Sequence, residues 1–208
     1  MSSSVREFTA ADWDTWYTTA RPTVVSDKES EAFRRAVDLQ SGITAVDLGC
    51  GSGQWTRQLA AWGITVTGYD FSTEALRQAH AAGPRDQLTY ARWDITAEPI
   101  PPDLKPASLD LVTCRYALPY LDYARLATDI GRWLKPSGTF YALIRAAAED
   151  DQAETPGREE ERRDKDPLGP FHRALSQKQI DSLGSGWASR TTYRLSSRSR
   201  ALVLREYQ

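Results

Sequence analysis

Residues 43–53 read ITAVDLGCGSG. An apolar run of strand length, 43–48, passes straight into a turn with glycine at 49, 51 and 53. A segment of helical character, 55–62, follows and stops at Gly63. Strand, glycine turn and helix in that order open a parallel α/β unit. Without Cβ atoms the turn can reverse sharply and a ligand can lie against its backbone. The helix behind it aims free N–H groups at the same place. Spacing narrows the ligand. A dinucleotide site of the form G-x-G-x-x-G needs its third glycine where Gln54 or Thr56 stands, so that reading fails. The pattern is G-x-G-x-G, built on Gly49, Gly51 and Gly53, with Asp47 two residues ahead. A carboxylate there repels a pyrophosphate and suits a cationic amine.

Outward from this stretch, strand and helix signals alternate. Residues 64–69 read as a second strand, and Ser72 caps a helix to Ala82 that Gly83 and Pro84 stop. Residues 88–91 read as a third strand and 109–114 as a fourth. Asp122 caps a helix through Trp133, with Leu126 and Ile130 inward. Residues 135–138, KPSG, read as a turn before a fifth strand at 139–144. Upstream, Thr9 to Asp12 and Ser26 to Glu29 have the spacing of capping boxes. The first opens a helix with Trp13, Trp16 and Tyr17 on one face. The second opens a helix with Phe33, Ala36 and Val37 inward and Gly42 as its stop. After Ile144 the alternation breaks. Residues 146–170 are polar and proline-flanked, a loop or lid insertion. Ser176 caps a helix to Leu183, and 190–195 and 201–207 form a hairpin.

The 208 residues suit one α/β domain. A formal net charge of −2 argues against a dedicated nucleic-acid binder. No apolar run approaches the roughly 20 residues of a membrane span, and the first residues carry no apolar stretch of a secretory signal. Two cysteines, Cys50 and Cys114, are too few for a zinc site and fit a reducing cytoplasm.

The stretch from Asp47 to Gly53 resembles the first motif of the class I S-adenosylmethionine-dependent methyltransferases, and other parts of the chain agree. GYDF places Asp70 where the family has an acidic residue for both ribose hydroxyls, with Phe71 beside it for the adenine. RWDI supplies Asp94 for the adenine amino group, with Ile95 next to it. SLDLVTCRYALPYL resembles the family's fourth-strand motif, and LKPSG its turn before strand five. The resemblance covers roughly 43–144. It implies a Rossmann-like three-layer sandwich, with a seven-stranded, mostly parallel sheet and an antiparallel last strand. It implies S-adenosylmethionine as cofactor and S-adenosylhomocysteine as product. It also implies a single domain over 1–208, with cap helices in 1–40, a cofactor-binding core in 43–144 and a C-terminal helix and hairpin in 176–207.

The methyl group of a sulfonium is already electrophilic, so positioning a nucleophile behind it supplies much of the catalysis. Aromatic faces favour the cation, and Trp16 and Tyr17 are placed to supply them. The loop after strand four offers Arg115 to the cofactor and Tyr116 and Tyr120 to the acceptor. Pro119 stands where many relatives have a histidine base. Of the two histidines, His80 falls well into a helix, whereas His172 follows the insertion and reaches the pocket if that segment is a lid. No metal set and no N/D-P-P-Y/F motif are present. The expected function is methylation of a small molecule by a monomer or homodimer. A cofactor-binding sensor without activity and an RNA methyltransferase remain as alternatives, the second supported only by the arginines of 190–205.

Overall fold

The computed structural model describes residues 8–19, 24–40, 42–147 and 171–208. Among them, seven strands form one sheet in the order β3-β2-β1-β4-β5-β7-β6. These are β1 (Thr44–Leu48), β2 (Thr65–Asp70), β3 (Leu88–Arg92), β4 (Leu109–Arg115), β5 (Leu134–Arg145), β6 (Trp187–Arg194) and β7 (Ser199–Tyr207). β1 to β5 run parallel, and β7 lies antiparallel between β5 and β6. The helices are α1 (Ala10–Thr19), α2 (Asp27–Ala36), α3 (Gln54–Ala61), α4 (Thr73–Ala81), α5 (Tyr123–Trp133) and α6 (Gln177–Ser182). This is the Rossmann-like arrangement the sequence implies.

Side chains on a strand alternate between faces, and the two cores follow that period. Val46, Leu48, Val112, Cys114, Phe140, Ala142 and Ile144 pack with Leu126, Ile130 and Trp133 of α5 and Ile180 of α6. Ala45, Leu111, Tyr141 and Leu143 point to the other face and pack with Phe33 of α2 and Trp55 and Leu59 of α3. Phe33 anchors that second core. Its ring meets Trp55 and Tyr141 edge-on, at 4.9 and 4.8 Å, and stacks on Trp62 at 5.4 Å. Such pairs contribute about 0.5–1.5 kcal/mol each beyond area burial.

Three local expectations are corrected. α2 ends at Ala36, well before Gly42. Val37 leaves the helix extended because its side chain is 3 % exposed in the core, and Arg205 donates to the freed carbonyl of Ala36. The KPSG segment is not a free turn but part of β5. Leu109 pairs with Leu134 and Leu111 with Thr139, so the extra residues bulge out of the register. Asp110 holds the irregularity, accepting from Lys135 Nζ at 2.8 Å and from the Thr44 N–H at 2.9 Å. Finally, Ser26 accepts from the Glu29 N–H at 3.2 Å, but the Glu29 side chain does not return to complete a box, because Arg115 takes it. Thr9 with Asp12, and Ser176 with Gln179, do form both halves.

The insertion expected at 146–170 lies almost wholly outside the described residues. Ala146 bridges to Leu175, which brings residues 171–175 beside the end of β5. No helix among the described residues is long and apolar enough to cross a membrane.

Candidate functional site

Strand order reverses between β1 and β4, and in open α/β sheets the crevice at such a point receives ligands. A cavity of about 750 Å³ opens there, at the carboxyl ends of the strands. The size suits a cofactor together with a small second ligand.

The glycine turn forms its floor. Gly49, Gly51 and Gly53 have φ of +66°, +55° and +81°, a region other residues enter only with strain. Gly49 and Gly51 line the cavity, whereas Gly53 does not. Gly53 instead ends the turn as the residue before α3, tucked under Tyr90, whose hydroxyl donates to its carbonyl. Gly51 lies under α1 as well as under the cavity. A Cβ there would stand 2.6 Å from the Tyr17 hydroxyl, so the protein's own α1 already lies on the turn.

α1 is held by a residue the sequence reading passed over. Asp14 accepts from Ser72 Oγ at 2.6 Å, Thr73 Oγ1 at 2.9 Å and the Glu74 N–H at 3.0 Å, which satisfies the first turn of α4. Gln78 donates to the Tyr17 carbonyl at 2.7 Å. Trp13, Tyr17 and Phe8 thereby become one wall, and Phe171 meets Phe8 at 4.8 Å and Trp13 at 5.0 Å.

The carboxylates stand in strand order. Asp70, at the end of β2, accepts from the Gly51 N–H at 2.8 Å and from the Ser72 N–H at 2.9 Å, one to each oxygen. A carboxylate has about four acceptor positions, so each oxygen retains capacity for a hydroxyl. Asp47 accepts from Thr56 Oγ1 at 2.7 Å and Thr113 Oγ1 at 2.8 Å and is 1 % exposed. Its first partners are thus the protein's own threonines rather than open space for an amine. Burial pushes both carboxyls up to about 6, against the hydrogen bonds that lower them. Asp94 uses Oδ1 to accept from Thr96 and Ala97, which builds the turn after β3, and it faces the cavity with Phe71, Ile95 and Trp93.

On the other side of the reversal the charges are basic. Arg115 ends β4 and lines the cavity, yet its Nε and Nη2 grip Glu29 at 2.6 and 3.0 Å. Burial works against that charge and the Glu29 pair outweighs it, so the Arg115 pKa rises. The sequence reading missed Glu29 because it took the residue for a cap. Tyr116, Tyr120 and His172 also reach the wall, with Arg145 and Arg173, which it did not single out. Tyr120 accepts from the Arg173 N–H at 3.0 Å, and burial raises its pKa. His80 lies elsewhere, edge-on to Tyr90 at 5.4 Å. Cys50 and Cys114 are buried free thiols, and burial raises the pKa of both. Among the described residues no group of His, Cys, Asp and Glu is disposed to hold a metal.

Residues 46–142 match the family model described as a methyltransferase domain. Among curated proteins, the chain is 36 % identical over 110 residues to the ubiquinone biosynthesis O-methyltransferase of Methylococcus capsulatus, covering 52 % of this chain and 46 % of that protein. It is 35 % identical over 105 residues to the enzyme of the same name from Nitrosomonas europaea, covering 49 % and 43 %. The chain thus spans about half the length of the curated relatives it matches. Among solved structures it resembles an S-adenosylmethionine-dependent methyltransferase of Mesorhizobium loti, with a TM-score of 0.65, 22 % identity and coverage of 86 % and 98 %. Phosphoethanolamine N-methyltransferase 2 of Haemonchus contortus, in complex with S-adenosyl-L-methionine, gives a TM-score of 0.70 at 17 % identity, covering 96 % and 58 %. At those identities the likeness is one of fold.

Proposed function

We propose that this chain is a class I S-adenosylmethionine-dependent methyltransferase, which binds S-adenosylmethionine and transfers the methyl group to a small-molecule acceptor; the methyltransferase-domain match over residues 46–142 supports the reading. The observation that carries the reading is the order of acidic groups along one cavity edge. Asp47, Asp70 and Asp94 belong to β1, to β2 and to the turn after β3, three neighbouring strands beside the glycine turn.

When bound, the cofactor supplies an electrophilic methyl on a sulfonium. The donor set fits it. Asp70 would hold the two ribose hydroxyls with its remaining lone pairs, and Asp94, which lines the cavity with Phe71 and Ile95, would hold the adenine amino group. Gly49 and Gly51 keep the floor low. Asp47 lies behind the floor and favours a cationic amine through its charge. Arg115 balances Asp47 and orders the loop after β4 through Glu29. Tyr17 and Trp13 of α1 cover the turn, exclude water and present aromatic faces worth about 0.5–2 kcal/mol to a cation. The chain's largest contribution is positioning, which in favourable cases supplies about 7–11 kcal/mol of a barrier. His172 is the candidate to accept the acceptor's proton, since a neutral imidazole is the commonest general base. Tyr120, held protonated by burial, acts as a hydrogen-bond donor or acceptor to the acceptor molecule, and Tyr116 shapes the wall.

Within one domain, the described part of 1–40 serves as a cap, 43–144 as the cofactor-binding core and 176–207 as the part that closes the sheet. Two free thiols suit a reducing cytoplasm. Calorimetric titration with S-adenosylhomocysteine tests the cofactor. Incubation with S-adenosylmethionine and a panel of phenols, acids and amines, read as S-adenosylhomocysteine released, tests transfer. A folded protein that binds neither cofactor form refutes the proposal, and binding without turnover on any acceptor favours a sensor.

A further inference from the structure

The cavity changes sign along the sheet edge. In the spatial order β2-β1-β4-β5, the carboxyl-end charges are Asp70, Asp47, Arg115 and Arg145. Neighbouring strands are about 4.8 Å apart, so the field reverses within the width of a small molecule. The acidic half is accounted for by the cofactor. Of the basic half, Arg115 is committed to Glu29. Arg145 faces the cavity, half-buried, with no carboxylate partner among the described residues.

What holds Arg145 is an aromatic platform. Arg115 pairs in register with Leu143, so Arg115 and Arg145 emerge on the same face of the sheet. Tyr116 stands between them, its ring centroid 5.1 Å from one guanidinium carbon and 5.6 Å from the other. Its φ of +63° lies in the left-handed region, where a bulky residue is strained and persists only when its surroundings enforce it. Here they do: the Tyr116 N–H donates to the Leu143 carbonyl at 2.7 Å, and its hydroxyl lies 3.3 Å from Ser199 Oγ. A guanidinium resting over a ring is restrained by it, and its planar fork of donors takes a carboxylate or phosphate by two hydrogen bonds. In the same cavity, Phe8, Trp13 and Phe171 give a cluster of rings that forms an apolar wall.

We infer that the methyl acceptor is an amphipathic acid, with an apolar body against that wall and a carboxylate or phosphate on Arg145. This rests on the methyl-transfer reading. The competing occupant of Arg145 is the cofactor's own carboxylate.

Benzoate and phenyl phosphate, with benzamide and benzyl alcohol as neutral controls, are titrated against the protein by calorimetry with and without saturating S-adenosylhomocysteine. At least one anion is expected to bind about tenfold or more tightly than its neutral counterpart, and the better anion identifies the group. Arg145→Gln should erase that preference while leaving S-adenosylhomocysteine affinity within about twofold, which also shows that the variant is folded. Equal binding of neutral and charged probes, or no binding of either anion at millimolar concentration, overturns the inference. So does a variant that loses S-adenosylhomocysteine but keeps the anion preference, since that assigns Arg145 to the cofactor. Failure of S-adenosylhomocysteine to bind the unaltered protein is a separate result, which removes the cofactor reading while the anion preference is still read directly.

Discussion

Asp70 joins the glycine turn to the start of α4 through the Gly51 and Ser72 N–H groups, and it does so buried and titrating near 6. An amide in its place presents a donor to one of those N–H groups and removes the charge that strengthens any bond to a hydroxyl. Asp70→Asn is therefore expected to weaken S-adenosylhomocysteine binding at least about tenfold by calorimetry; unchanged affinity in a folded variant takes Asp70 out of the site. The same carboxyl sets a pH dependence. With Asp70 and Asp47 both near 6, the proton must leave before the ionised form meets the ligand. Affinity should rise from pH 5 to 7 by about tenfold or more and then level off. Stability responds in the opposite sense. Both folded-state values lie above the ordinary 3.8, so the folded protein holds extra protons between there and about 6. The contribution of these two groups to stability falls as pH rises through that window. Glu29 is a third test. Its pair with Arg115 is buried, with side chains 6 % and 11 % exposed. Glu29→Ala takes the bidentate carboxylate from the buried Arg115 guanidinium, at a cost of about 3–5 kcal/mol, to be read from urea unfolding.

At the scale of elements, two segments distant in sequence depend on each other. α1 has no fully buried residue and is not a core helix; its hold on the molecule is Asp14 at the start of α4 and the aromatic face above Gly51. Asp14→Ala removes the acceptor for three groups of α4. The expected loss is about 1 kcal/mol, the size of one N-cap contribution, with faster hydrogen exchange throughout α1. If exchange in α1 is unchanged, the helix is docked by its aromatics alone. Gly51→Ala acts on the same pair from below. It forces a Cβ against the Tyr17 hydroxyl at a φ of +55°, so it should both abolish cofactor binding and lift α1. A variant that loses binding while α1 stays protected would show that ligand space, and not Tyr17, is why glycine stands there.

For the whole molecule, the reversal of strand order at β1 and β4 places the crevice, and α1 with residues 171–173 closes it from above. A cover held by a few polar contacts and aromatic edges is drawn from the low-stability end of a structure. S-adenosylhomocysteine should therefore protect the amides of α1 from exchange, with smaller changes in β4 and β5, which are already in the core. No added protection in α1 would exclude closure by this helix.

Much of this was legible in the order of residues because strands and their caps are local. An apolar run, a glycine turn and a Ser or Asp at an N-cap act over a few positions. So β1, β2, the starts of α4, α5 and α6 and the terminal hairpin could be read without coordinates, whereas Asp70 and Asp94 were singled out only through the resemblance to a known family. Capping could not tell Glu29 from a box-former, because what takes that side chain is Arg115, 86 positions away. Nor could it end α2, since burial of Val37 overrides the glycine that follows. Glycine spacing marks a tight turn at Gly51 and Gly53 alike, whereas only the fold shows Tyr17 over the one and Tyr90 over the other, because packing partners carry no sequence spacing. The placing of Arg145 on the Tyr116 ring was out of reach for the same reason. It needs the register of β4 on β5 and a tyrosine held at positive φ between them. Local pattern thus determined the strands and their caps, whereas the acidic and basic halves of the cavity exist only once the strands are laid side by side.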